Sequence, residues 1–217
     1  AFARAAVHSK HVLVERHVDG HDFRIGVFNG RILWASHRLP GAVTGNGGDS
    51  VQALVDQLNR DPRRGKDDTA ALKALSLDEE ALELLASRGM TPQSVPAAGE
   101  FIALRRAASV SQGGSATEWP ASAFHPDNLD VCVMATRAVG LDFAGIDLIL
   151  TDPLRSWREA GGLICEINGA PQLSLTADPK WFDQVVDEWM PGQGRLPTIV
   201  VVGPAAAPAS AAIEHGM

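Results

Sequence analysis

The chain has 217 residues, 45% of them hydrophobic and 21% charged, with a formal net charge of −7. That length makes one large or two small domains, no run approaches the roughly 20 apolar residues of a membrane span, and the first residues lack the order of a signal peptide, so a cytoplasmic protein with no membrane partner is expected. The acidic balance argues against a sequence-independent grip on nucleic acid, is compatible with a homo-oligomer, and suits sites that hold Mg2+.

"AFARAAVHSK" has helical character, and "HVLVERHV" reads as a strand. "DFRIGVFNG" turns at Asn29-Gly30 into "RILWASHRL", a strong hairpin signal. From about 44 to 100 the pattern changes to a Gly-rich turn "TGNGGDS", a helix "SVQALVDQLNR", a polar "DPRRGKDD" and a second helix "SLDEEALELLASRG". Ser76 and Glu79 have capping-box spacing there, and Gly89 stands at the C-terminal end, so a helical insertion between strands is expected. "FIALRR" then resumes the sheet, "ASVSQGGSATEW" loops out, and "HPDNLDVCVMATRAVGL" is a helix with an apolar stripe. "FAGIDLILTD" and "GGLICEIN" are apolar strands, and "LPTIVVVGPAAAPASAAIEHGM" is one more strand followed by an Ala/Pro tail of low complexity. Cys132 and Cys165 each lie in an apolar segment and read as buried thiols. The fold class is α+β, a mainly antiparallel sheet with flanking helices.

Asp147 lies inside the strand "GIDLIL", and the next strand carries Glu166 and Asn168 two apart, on one face by the strand period. If the two strands are antiparallel neighbours, three oxygen-bearing side chains converge, a donor set that suits Mg2+ with water and nucleotide phosphates. The competing reading, edge acids in salt bridges, is favoured for lone acids and disfavoured by this paired pattern. In "VERHVDGHDFR", Glu15 and Asp22 flank a bend where a nucleotide could lie, a weak signal by itself. His17 and His21 are four apart, but Gly20 and the strand pattern oppose the helix that a zinc pair would need. Arg105 and Arg106 precede a Ser/Gly loop; on a strand they point to opposite faces, so one of them reaches the site, where guanidinium suits phosphate. "TGNGGDS" and the end of "TIVVVG" both lack the Gly-Lys-Ser/Thr of a phosphate loop.

The order "VLVERHVDGHDFRIGVFNGRI", "NRDPRRG", "LRRAASVSQGG", "HPDN", "GLDFAGIDLIL" and "CEINGAP" closely resembles the ATP-grasp half of cyanophycin synthetases, from about residue 8 to 171. The resemblance implies an ATP-grasp fold, present here as its larger C-terminal part over 1–197, with 198–217 as the start of a degenerate Mur-ligase-like segment. It implies an enzyme, a ligase that forms a C–N bond by activating a carboxylate as an acyl phosphate with ATP and Mg2+, here adding aspartate to an Asp/Arg polymer acceptor. It places Glu15 at the adenine end beside Arg16, His17 and Val18, Asp22 at the ribose, and Asp147, Glu166 and Asn168 on Mg2+. Arg105 or Arg106 would offset charge on the transferred phosphoryl group, and Arg24 would bind the substrate carboxylate. The family's phosphate-covering Gly-rich loop and its lysine are not in this sequence, so a complete active site is not expected from this chain alone. Ser109 stands where the family has Asn, and "QLSLTADPKWFDQ" departs after the Ala-Pro, which opens the alternative of another ATP-grasp peptide ligase, while the missing loop and lysine open that of a noncatalytic nucleotide-binding module.

Overall fold

Asn29 and Gly30 both adopt positive φ, 47° and 73°, as a two-residue hairpin turn of mirror-image type requires. They join β1 (His21–Phe28) to β2 (Arg31–Leu39) as the centre of an antiparallel sheet. The computed structural model describes residues 2–14, 17–65, 70, 72–171 and 180–190. The chain divides into two compact units, 1–181 and 182–217.

In the first unit, α1 (Phe2–His8) precedes the hairpin in the chain. After β2 come β3 (Ala42–Thr44), α2 (Val51–Leu58), β4 (Arg64–Gly65), β5 (Leu72–Lys73), α3 (Glu79–Ser87) and β6 (Phe101–Ala103). The chain returns through β7 (Ser115–Glu118), α4 (Pro126–Ala138), β8 (Phe143–Leu150), the short α5 (Trp157–Ala160) and β9 (Gly162–Asn168). The main sheet has the order β7-β2-β1-β8-β9, and all its pairs are antiparallel. Alternation on β1 sends Phe23, Ile25 and Val27 to a face where Ala144, Ile146, Leu148 and Leu150 join them. α4 covers that face, burying Asn128, Cys132 and Thr136 at a spacing of four. His125 caps this helix by accepting from the Asp127 N–H, and Pro126 occupies the first turn, where no intrahelical donor is lost. Of the second unit the end of α6 (Lys180–Trp189) is described.

Residues 44–104 build a second core of Val51, Leu54, Val55, Leu75, Ala81, Leu85, Ile102 and Leu104. The insertion is therefore helical as expected, with corrections at its borders. Phe101–Ala103 is a strand, but it pairs with β3 in a separate two-stranded sheet and does not resume the main one. The edge of the main sheet is taken by Ser115–Glu118, inside the stretch expected to loop out. Asp78, not Ser76, is the cap of α3 and accepts from the Ala81 N–H, because Ser76 Oγ is turned onto Asp78 Oδ2 at 3.0 Å. Gly89 follows α3 at φ 68°, as its position predicted. Val12–Val14 form no strand with any described residue, and Leu13 and Val14 are exposed. Cys132 is buried, whereas Cys165 is exposed, contrary to the expectation of two buried thiols. The expected strand at 198–202 and the Ala/Pro tail lie outside the described residues.

Candidate active site

The face of the sheet opposite α4 carries the polar members of the strand alternation. Asp22 lies opposite Arg38, and Arg24 lies between Ser36 on one side and Asp147 on the other. Asp147 in turn faces Glu166, and Gly145 faces Asn168. The condition set by the sequence, antiparallel neighbours, is met. A β-bulge also takes part: Leu148 pairs Ile164 while Asp147 pairs Glu166, so Cys165 is the inserted residue. In unbroken register Glu166 would oppose Ile146 and turn toward the core.

Two arginines hold the carboxylates. Arg38 Nε and Nη2 reach Asp22 Oδ1 at 2.7 and 2.6 Å, and Nη2 also reaches Asp147 Oδ2 at 3.1 Å. Arg24 Nη1 stands 2.8 Å from Asp147 Oδ1. That contact is coulombic: the nitrogen directs its hydrogens elsewhere, and Asp147 Oδ1 is buried without receiving a hydrogen bond. Oriented to satisfy both neighbours, the Asn168 amide donates to Glu166 Oε1 at 3.0 Å and accepts from Arg24 Nη1 at 2.7 Å. Arg24 Nη1 has a longer contact, 3.4 Å, to the Gly145 carbonyl. Burial pulls the Arg24 pKa below the usual guanidinium value, more than Asp147 and Glu166 restore. Burial acts the same way on Arg38, but Asp22 and Asp147 outweigh it and its pKa rises. Burial pushes the Asp22 carboxyl up, against the pull of Arg38.

The structure thus brings together Asp22, Arg24, Asp147, Glu166 and Asn168. It turns Arg105 and Arg106, which follow β6, toward α3 and its cap. Arg105 is buried and donates through Nη2 to Asp78 Oδ2 at 2.7 Å and Ser76 Oγ at 3.0 Å, and through Nη1 to its neighbour's carbonyl, Leu104 O, at 2.6 Å. Arg106, more exposed, donates to Glu83 Oε2 at 3.0 Å. His17 is exposed and pairs with Asp19 at 3.0 Å, and Val18 beside it is half-buried. Glu15 and Arg16 lie outside the described residues. Arg38 and Ser36 are the site-face residues that sequence reasoning missed. The Asn29-Gly30 hairpin was the available signal, but straight counting from it sets His37 opposite Asp22. The bulge at Leu33, between the pairs Val27–Ile32 and Gly26–Trp34, installs Arg38 instead.

Among the described residues no three His, Cys, Asp or Glu side chains cluster as a metal site. The donors available here are two carboxylates and an amide oxygen, a hard-oxygen set that fits Mg2+ when water and phosphate complete the shell, and the orphaned Asp147 Oδ1 is a buried acceptor ready for a cation.

No family model matches the chain. It is 33% identical over 211 residues to the cyanophycin synthetase of Trichormus variabilis, covering 94% of this chain and 23% of that protein. It is 32% identical over 209 residues to the cyanophycin synthetase of Geminocystis herdmanii, covering 93% and 24%. A glutathione biosynthesis bifunctional protein of Mannheimia succiniciproducens is 34% identical over 173 residues, covering 78% and 23%. The chain therefore spans about a quarter of the length of the relatives it matches. Its fold is similar to the crystal structure of a bifunctional glutathione synthetase from Pasteurella multocida, with a TM-score of 0.66 at 24% identity over 79% of this chain and 24% of that one. No described helix is long and apolar enough to cross a membrane. The chain has an ATP-grasp fold and, over some nine-tenths of its own length, is homologous to a segment of the cyanophycin synthetases.

Proposed function

We propose that this chain supplies the metal- and phosphate-facing part of an ATP-dependent carboxylate–amine ligase of cyanophycin synthetase type, which adds aspartate to an Asp/Arg polymer through an acyl phosphate. The observation that carries the reading is the single row Arg24, Asp147, Glu166 across three strands, with Asn168 beside it and a buried carboxylate oxygen left without a donor. Asp147, Glu166 and Asn168 would hold Mg2+, which when bound offsets the negative charge of the nucleotide phosphates. Arg38 fixes the Asp147 carboxylate through its other oxygen and so sets which lone pairs face the site. Arg24 would bind the carboxylate of the incoming substrate. Asp22, and Glu15 with Arg16, His17 and Val18, would lie along the nucleoside; Arg105 or Arg106 would reach the phosphoryl group only by leaving the contacts described with α3. A cytoplasmic setting, with an amino acid and a peptide or polymer as partners, belongs to the same reading.

The 34% identity to the glutathione biosynthesis protein supports a second reading, a dipeptide ligase on the same site. Mg2+-dependent phosphate release by the full-length protein separates the two. Release with aspartate plus a short Asp/Arg primer is the expected result. Release only with the dipeptide and glycine from which glutathione is made selects the second reading. ATP binding with no release for any pair would show a noncatalytic nucleotide module.

A further inference from the structure

We infer that Arg24 is a resident cation in the metal site, displaced when a divalent ion loads and thereby released toward an anionic substrate group. The inference rests on the metal reading above and adds an order of events to it. Arg24 Nη1 lies 2.8 Å from Asp147 Oδ1 and 2.7 Å from Asn168 Oδ1, two of the oxygens the metal would take. Arg24 Nη1 donates to the Asn168 oxygen and crowds Asp147 Oδ1 by charge without a hydrogen bond, so it stands where a cation shared by the two oxygens would stand. A divalent charge at coordination distance from those oxygens would also fall within a few ångströms of the guanidinium, and at that range repulsion between like charges opposes the contacts that hold Arg24 there.

The surroundings make the exchange local. Asp147 does not depend on Arg24 for its orientation, because Arg38 Nη2 holds its other oxygen at 3.1 Å. Arg24 in turn is held weakly on its remaining side, by the Gly145 carbonyl at 3.4 Å. The room it occupies exists because residue 145 is glycine: a Cβ there would stand 3.0 Å from Arg24 Nη1 and 2.8 Å from Pro171 Cβ. Counting the face, two guanidinium groups meet three carboxylates, so one negative charge remains to attract the metal before Arg24 leaves. Once released, the guanidinium is a planar fork suited to a carboxylate or phosphate. Metal loading and anion binding then become coupled, and by linkage each strengthens the other by the same factor.

The test is Mn2+ binding to the full-length protein, with a non-hydrolysable ATP analogue, followed by the EPR signal of free Mn2+. Arg24→Met is expected to bind Mn2+ roughly tenfold tighter or more, since a competing unit charge has gone. Arg24→Lys, which keeps the charge but not the fork, is expected in between. In the wild type, aspartate should tighten Mn2+ binding and Mn2+ should tighten aspartate binding by one common factor, and Arg24→Met should lose that coupling. Equal or weaker Mn2+ binding by Arg24→Met, with binding still lost in Asp147→Asn, overturns the exchange and leaves the metal site standing. Equal binding by Asp147→Asn and wild type overturns the metal reading itself. Should Arg24→Met fail to fold, the Arg24→Lys affinity and the wild-type coupling decide the matter.

Discussion

Asp147 sits between two guanidinium groups with its side chain 14% exposed, and each of its oxygens has a different duty: Oδ2 is held by Arg38, and Oδ1 faces the site. Neutralising it as Asp147→Asn, or its cross-strand neighbour as Glu166→Gln, preserves shape while removing a hard anionic donor. Both variants are expected to abolish ATP turnover in the full-length protein with little change in thermal midpoint; unchanged turnover would sink the metal assignment. The two cysteines permit an independent check of the fold. Burial pushes the Cys132 thiol up to about 12, whereas Cys165 is exposed. An aromatic disulfide reagent at pH 8 is expected to react quickly at Cys165 and to reach Cys132 only on unfolding; fast reaction at both would contradict the packing of α4. His37 sets a pH dependence. Burial first, then the neighbouring His21, lowers its pKa below the usual 6.5. Below about pH 6.5 the unfolded chain therefore takes up this proton more readily than the folded one, and stability declines as pH falls through the lowered value. His37→Gln should flatten that acid-side slope in chemical denaturation measured from pH 7 to 5.

At the scale of elements, two inserted residues decide which side chains meet. Leu33 in β2 brings Arg38 opposite Asp22, and Cys165 in β9 brings Glu166 opposite Asp147. The strands themselves were legible from alternation, and the hairpin turn was legible from Asn29-Gly30, because both signals are local. A bulge carries no such signal, so Arg38 stayed hidden although its residue type is plain in the sequence. Close packing on β1 is equally invisible before the fold is known. A Cβ on Gly26 would stand 2.3 Å from the Trp34 indole, which lies across the strand. Gly26→Ala is therefore expected to cost about 1–3 kcal/mol, the range of overpacked cores, read as a fall in the denaturant midpoint at constant slope. A midpoint equal to wild type would mean that Trp34 moves aside at no cost.

For the whole first unit, the two cores have separate helices, and Arg105 ties the chain leaving β6 to the cap of α3. Its role as drawn by these contacts is to hold Asp78, the cap of that helix, and Ser76 two residues before it. Arg105→Met, which keeps the stem and loses the hydrogen bonds, is expected to destabilise the protein by about 1–3 kcal/mol, as charge-assisted bonds do when removed. A thermal melt beside the turnover assay separates the possibilities: a lowered midpoint with turnover per folded molecule retained marks a structural residue, whereas an unchanged melt with turnover lost marks a residue that leaves α3 to meet phosphate.

By itself the sequence determined the α+β class, the hairpin, the helical insertion and the two strands that bear Asp147 and, two apart on one face, Glu166 and Asn168. Each of these follows from periodicity or from turn chemistry within a few residues. Tertiary structure alone decided that Phe101–Ala103 leaves the main sheet for β3, that Ser115–Glu118 becomes its edge, and that Arg38 and Arg24 close on Asp147 while Arg105 turns away to Asp78. The physical reason is the same in each case. Strand partners, bulges and ion pairs join residues far apart in the chain, and their free energies depend on which backbone is already alongside.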